Sequence, residues 1–137
     1  MNYSSFSRVI EDYKVVMLDS YGVVKNHKGL IDGVQESIRT LKQKGKTFRL
    51  LTNDATRSQK QQLESMQHLG LHDIELHEII TSGMMARQLL EQKITSGHIA
   101  YLGAQKSADY ILQSGLKHVA AGGVDLNDID GIAAFVF

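Results

Sequence analysis

The chain has 137 residues, with fifteen Lys and Arg against fifteen Asp and Glu, so its formal charge is zero and it offers no electrostatic footprint for nucleic acid or an anionic membrane surface. That length allows one domain with a real core and is too short for two ordinary ones. Without a cysteine there is no disulfide framework, thiolate metal site or thiol nucleophile. No apolar run approaches the ~20 residues of a membrane span, and the N-terminus lacks a long apolar signal core, so the cytoplasm is the expected location.

Ser4 to Tyr13 reads as a short amphipathic lead-in with Phe6, Val9 and Ile10 on one side. Val15-Val16-Met17-Leu18 is a short apolar run closed by Asp19-Ser20-Tyr21-Gly22, which predicts a fully buried strand with its polar end at the carboxyl edge of a sheet. A loop is expected from Gly22 to Leu30. Asp32 and Gln35 form a capping-box pattern ahead of a helical stripe, Val34, Ile38 and Leu41, that Gly45 stops. Thr47 to Leu51 predicts a second strand, broken by Thr52-Asn53-Asp54-Ala55-Thr56-Arg57-Ser58.

Ser58 and Gln61 open a helix through Leu63, Met66 and Leu69 that ends at Gly70. Glu78 to Ile80 is a brief extended link, and Thr81 or Ser82 caps a helix carrying Met85, Ala86, Leu89 and Leu90. Ile99 to Leu102 is a strand closed by Gly103, and a helix through Ala108, Ile111 and Leu112 ends at Gly115. Lys117 to Ala121 and Ile132 to Phe137 complete the strands. Strands alternating with helices of this length predict the α/β class: right-handed crossovers and a mainly parallel, Rossmann-like sheet with helices on both faces. The chain stops inside its last apolar run, an open edge that natural domains usually manage, so it reads as the front part of a longer protein.

Two successive strands end in polar clusters, Asp19-Ser20 and Thr52-Asn53. As sheet neighbours they would face one crevice ~5–10 Å apart, at the strand end where open α/β sheets bind ligands. A carboxylate beside a hydroxyl and an amide suits an anionic substrate whose charge a divalent cation offsets, and the carboxylate can act as a nucleophile. The same residue types also cap loops and helices, so spacing alone leaves both readings open. The six histidines are scattered and form no spaced ligand pair.

Leu18-Asp19-Ser20-Tyr21-Gly22-Val23-Val24 resembles the first signature of the haloacid dehalogenase-like hydrolases, an aspartate closing an apolar strand ahead of a glycine. Leu50-Leu51-Thr52-Asn53-Asp54-Ala55-Thr56-Arg57-Ser58 is similar to their second, and Gly29-Leu30-Ile31-Asp32-Gly33-Val34 fits the sugar-phosphatase and nitrophenylphosphatase branch. The resemblance implies a phosphatase acting on a small phosphorylated, sugar-phosphate-like metabolite. Asp19 would be the nucleophile and a ligand of Mg²⁺, and the Tyr21 main-chain carbonyl a second ligand. Thr52 would hold the phosphoryl oxygens, with Asn53, Ser20, Gly22 and Arg57 around the phosphate. It also implies that residues 1–137 are the N-terminal part of a core domain, with the cap domain and the rest of the core absent. A homo-oligomer stays open.

Two departures matter. The position of Tyr21 is a second aspartate in the family's phosphatases, where it protonates the leaving oxygen and then activates water, and a phenol, ordinarily ionising near ~10, is a poor general base at neutral pH. Dehalogenase members carry tyrosine there, which keeps 2-haloacid dehalogenation as an alternative beside a non-catalytic relative that binds a phosphorylated ligand. The family's lysine and downstream acidic pair have no evident counterpart, so the fragment itself is expected to be nearly inactive. Elsewhere the bland readings win. Lys25, His27 and Lys28 read as a solvated loop, and Gly103 as a plain turn without dinucleotide glycine spacing. Met84 and Met85 read as core or helix surface, and Asp125, Asn127, Asp128 and Asp130 as a turn without the closing acid of a calcium loop.

Overall fold

The computed structural model describes residues 6–103, 109–112, 114–120 and 131–136. In chain order the elements are α1 (Phe6–Val9), β1 (Val15–Asp19), β2 (Lys25–Asn26), β3 (Gly29–Leu30), α2 (Val34–Gln43), β4 (Thr47–Thr52), α3 (Gln59–His68), β5 (Ile79–Thr81), α4 (Ser82–Lys93), β6 (His98–Tyr101), α5 (Asp109–Leu112), β7 (His118–Ala120) and β8 (Ile132–Val136). The acidic stretch at 125–130, the turn at 104–106, Ala108, Ala121 and Phe137 fall outside the described residues. No helix among the described residues is long and apolar enough to cross a membrane.

The parallel α/β class holds, but the strands divide between two three-stranded sheets, β1-β4-β5 and β7-β6-β8, with β2 and β3 as a separate hairpin. The chain correspondingly packs as two compact units, one of residues up to Thr52 with Gln59–Ile80, the other of Asn53–Ser58 with Thr81 onward.

In the first unit β1 runs parallel to β4, with Val16 opposite Phe48 and Leu18 opposite Leu50. Phe48 and Leu50 alternate inward and join Ile38 and Leu41 of α2, Met66 of α3, and Leu71, Ile74 and Ile79 in one buried cluster. Strand period two and helix period three to four thus meet in the same core.

Three expectations for this unit are corrected. Among the described residues β1 pairs on one side only, with β4, rather than being fully buried: Val15 and Met17 are 46% and 57% exposed, because a strand paired on one side and covered on one face buries only alternate residues. The loop after Gly22 contains the β2–β3 hairpin, antiparallel with Lys25 opposite Leu30. Helix α2 starts behind Gly33, whose φ of 80° lies in the left-handed region that glycine tolerates. The capping box of Asp32 and Gln35 therefore does not form, and the Gln35 amide reaches Asp73 at 3.3 Å. Of the described lead-in residues only Ile10 is buried, while Phe6 and Val9 stay exposed.

In the second unit β6 pairs in parallel with β7 and with β8, around Ile99, Tyr101 and Ile111. Thr81 caps α4 as anticipated, its hydroxyl accepting from Met84 N at 3.0 Å. The turn into β6 needs a glycine twice over: Gly97 has φ of 85°, and a Cβ there would stand 2.9 Å from the Gly131 carbonyl.

Candidate active site

β1 delivers Asp19 to the carboxyl rim of its sheet. The register pairs Asp19 with Leu51, so Thr52 lies one residue beyond on the adjacent parallel strand, within ~5 Å across the ladder. Alternation turns Asp19 to the face of Leu51 and Thr52 to the face of Ser20. The two approach one rim from opposite sides of the sheet. Asp19 is exposed, and its Oδ1 accepts the Ser20 N–H at 2.8 Å, which orients the carboxylate.

The chain then turns sharply. The Ser20 carbonyl accepts from both Val24 N and Lys25 N at 3.0 Å, and Gly22 N donates to the Lys25 carbonyl at 2.8 Å. Gly22, with φ of 87°, makes that turn without strain. Ser20 is 2% exposed, and its Oγ has no hydrogen-bond partner among the described residues. Tyr21 is 65% exposed.

Asn53 and Arg57 belong to the second unit, in the loop joined to Thr52 by one peptide bond. There the Asn53 carbonyl accepts from Ser82 Oγ at 2.8 Å. Asp54 accepts from Thr56 N at 2.8 Å, Thr56 Oγ1 at 2.6 Å and Arg57 Nη1 at 2.7 Å. Arg57, which the resemblance placed around the phosphate, is ion-paired within its own loop. Partial burial alone would push the Asp54 carboxyl up, but the hydrogen bonds from Thr56, then the bond and charge of Arg57, outweigh it and hold the group below its ordinary 3.8.

A depressed folded value favours the folded state once the pH exceeds the unfolded one, and that contribution disappears as pH falls through the folded value. The melting-temperature advantage of wild type over Asp54→Asn is therefore expected in full at pH 6 and to shrink below about pH 4. Thermal melts at both pH values check it, and an advantage that grows in acid contradicts the assignment.

Two features of this region were missed in the sequence. One is Asp54 as the hub of its loop, signalled by the Asp-x-Thr spacing of a side-chain-to-backbone turn. The other is the hairpin, signalled by Asn26 and Gly29 flanking two residues. Among the described residues no three His, Cys, Asp or Glu converge as a metal cluster.

A model of the family described as haloacid dehalogenase-like hydrolase matches residues 16–117. "Phosphoglycolate phosphatase 2" of Arabidopsis thaliana is 29% identical over 91 residues, 66% of this chain and 30% of that protein. "Haloacid dehalogenase-like hydrolase domain-containing protein 2" of Pongo abelii is 35% identical over 80 residues, 58% of this chain and 30% of that protein. Among solved structures, a "possible sugar phosphatase, HAD superfamily" from Cytophaga hutchinsonii superposes with a TM-score of 0.86 at 34% identity, covering 98% of this chain and 48% of that one. The aligned region thus spans about a third of the curated relatives and about half of the structural one.

Proposed function

The chain belongs to the haloacid dehalogenase-like hydrolase family, and from that premise we propose that it carries the nucleophile-bearing part of a phosphatase for a small phosphorylated, sugar-phosphate-like metabolite. The observation that carries the reading is the placement of Asp19 at the carboxyl rim, one register step from Thr52 on a parallel neighbour. In this reading an Asp19 carboxylate oxygen attacks phosphorus. The ester P–O bond breaks, and its electron pair leaves on the alcohol oxygen, which takes up a proton. Water then attacks the phosphorus of the acyl phosphate, loses a proton and releases phosphate, restoring the carboxylate. The Ser20 N–H holds Asp19 in orientation, and Thr52 offers its hydroxyl to the phosphoryl oxygens.

The donor chemistry suits a hard cation. Mg²⁺ is typically held by one or two carboxylates together with substrate phosphate, and Asp19 presents one exposed carboxylate. The Tyr21 main-chain carbonyl is the second oxygen proposed to hold the ion. When bound, the ion supplies charge neutralisation at the phosphoryl oxygens. We take the chain to be part of a core domain whose lysine and further acids lie outside these residues, and the piece alone to be nearly inactive.

Titration of the whole protein with beryllofluoride and Mg²⁺, followed by ¹⁹F NMR, tests the nucleophile. A bound acyl-fluoroberyllate resonance is expected for wild type and none for Asp19→Asn, and an equal signal in both overturns the reading. Tyr21 favours a second reading, hydrolysis of a carbon–halogen bond. Chloride release from 2-chloropropionate without turnover of phosphate esters would establish it instead.

A further inference from the structure

The stretch from Ser20 to Ile31 contains Lys25, His27 and Lys28 and no acid. Among the described residues neither lysine is ion-paired, whereas Lys42 and Lys44 of the same unit meet Glu78 at 2.8 Å and Glu11 at 3.4 Å. The unpaired cations do not sit on a loose loop. Val24 is fully buried in the core, and its carbonyl accepts from Ile31 N at 3.0 Å. Lys28 N donates to Asn26 Oδ1 at 2.8 Å, closing the hairpin tip. At the base, Lys25 is bridged to Tyr21 and hydrogen-bonded on both its N–H and its carbonyl to the Ser20–Gly22 turn.

This anchoring fixes distances. Bridged residues lie ~5 Å apart, and two residues of chain keep Tyr21 within ~7 Å of Asp19. The flexible four-carbon stem of Lys25 can therefore swing its ammonium to the Asp19 rim. Two like charges on one short hairpin repel each other, and no ion pair among the described residues offsets them. An anionic ligand would.

We propose that the β2–β3 hairpin is a specificity element: Lys25 and Lys28 receive a second anionic group, a carboxylate or a further phosphate, on the phosphate ester attacked at Asp19. This rests on the phosphatase reading and narrows it from small phosphorylated metabolites in general to those that are doubly anionic.

The test compares three esters that share one phosphorylated carbon: 3-phosphoglycerate, glycerol 1,3-bisphosphate and glycerol 3-phosphate. The whole protein is expected to show kcat/KM at least about tenfold higher for one of the first two than for glycerol 3-phosphate, a factor of the size one ion pair can supply. Whichever is preferred identifies the second group as carboxylate or phosphate. In the Lys25→Gln/Lys28→Gln double variant that ratio is expected to collapse towards one, chiefly through KM, while Lys25→Arg/Lys28→Arg retains it. The preference should also weaken between 0.05 and about 0.5 M salt.

No preference in wild type, or one that survives the glutamine variant, overturns the proposal. Failure of the wild-type protein to turn over any of the three esters would instead overturn the phosphatase reading. The hairpin is still decided in that case by calorimetric binding of the same three compounds to wild type and to the glutamine variant, where loss of a doubly anionic preference supports it and equal affinities sink it.

Discussion

Asp19→Asn in the whole protein is expected to reduce turnover of a phosphate ester by about 10⁴-fold or more, the scale seen when a catalytic nucleophile is lost. The replacement is nearly isosteric. Its amide oxygen can still accept the Ser20 N–H that Oδ1 accepts at 2.8 Å, and the residue is exposed at the strand end, so the fold should be unchanged. What disappears is the negative oxygen that would bond to phosphorus and the charge that would hold a cation. Steady-state assays with p-nitrophenyl phosphate, alongside circular dichroism, separate chemistry from folding. Turnover within about tenfold of wild type, with intact spectra, would remove Asp19 from the reaction.

Phe48→Ala should destabilise the first unit by about 3–5 kcal/mol, the usual cost of a phenylalanine cavity in a core. Phe48 is 1% exposed and packs in the cluster built from α2, β4, α3 and β5. A loss of that size is a large share of the ~5–15 kcal/mol by which domains are stable. Met17→Ala makes the contrast. Met17 sits opposite Arg49 on the same strand pair but is 57% exposed, so its truncation in the isolated chain should stay within about 0.5 kcal/mol. Urea unfolding followed by circular dichroism measures both, and equal shifts in midpoint would contradict the face assignment of β1.

The sequence was most legible where side-chain periodicity and local chemistry agree. The branched run before Asp19, the stripe of Val34, Ile38 and Leu41, the alternation of Phe48 and Leu50 and the hydroxyl of Thr81 each name an element through forces acting within a few residues. The residues at the carboxyl ends of β1 and β4 were legible for the same reason, since a carboxylate or hydroxyl ending an apolar run marks a strand terminus. The arrangement of Asp54, Thr56 and Arg57 was less so, because Arg57 could serve a ligand or its neighbour, and only packing places its guanidinium on Asp54.

The chain's own residues therefore determined the α/β class, the order of its longer strands and helices and the family to which Asp19 and Thr52 point. Tertiary structure alone decided that the strands sort into two ladders, that β1 pairs on one side only among the described residues with Val15 and Met17 exposed, that Gly33 displaces the cap from Asp32, and that Lys25 and Lys28 ride on an anchored hairpin. Those outcomes depend on which surfaces remain to be covered once distant segments have paired, and a pattern read over a few residues does not contain that competition.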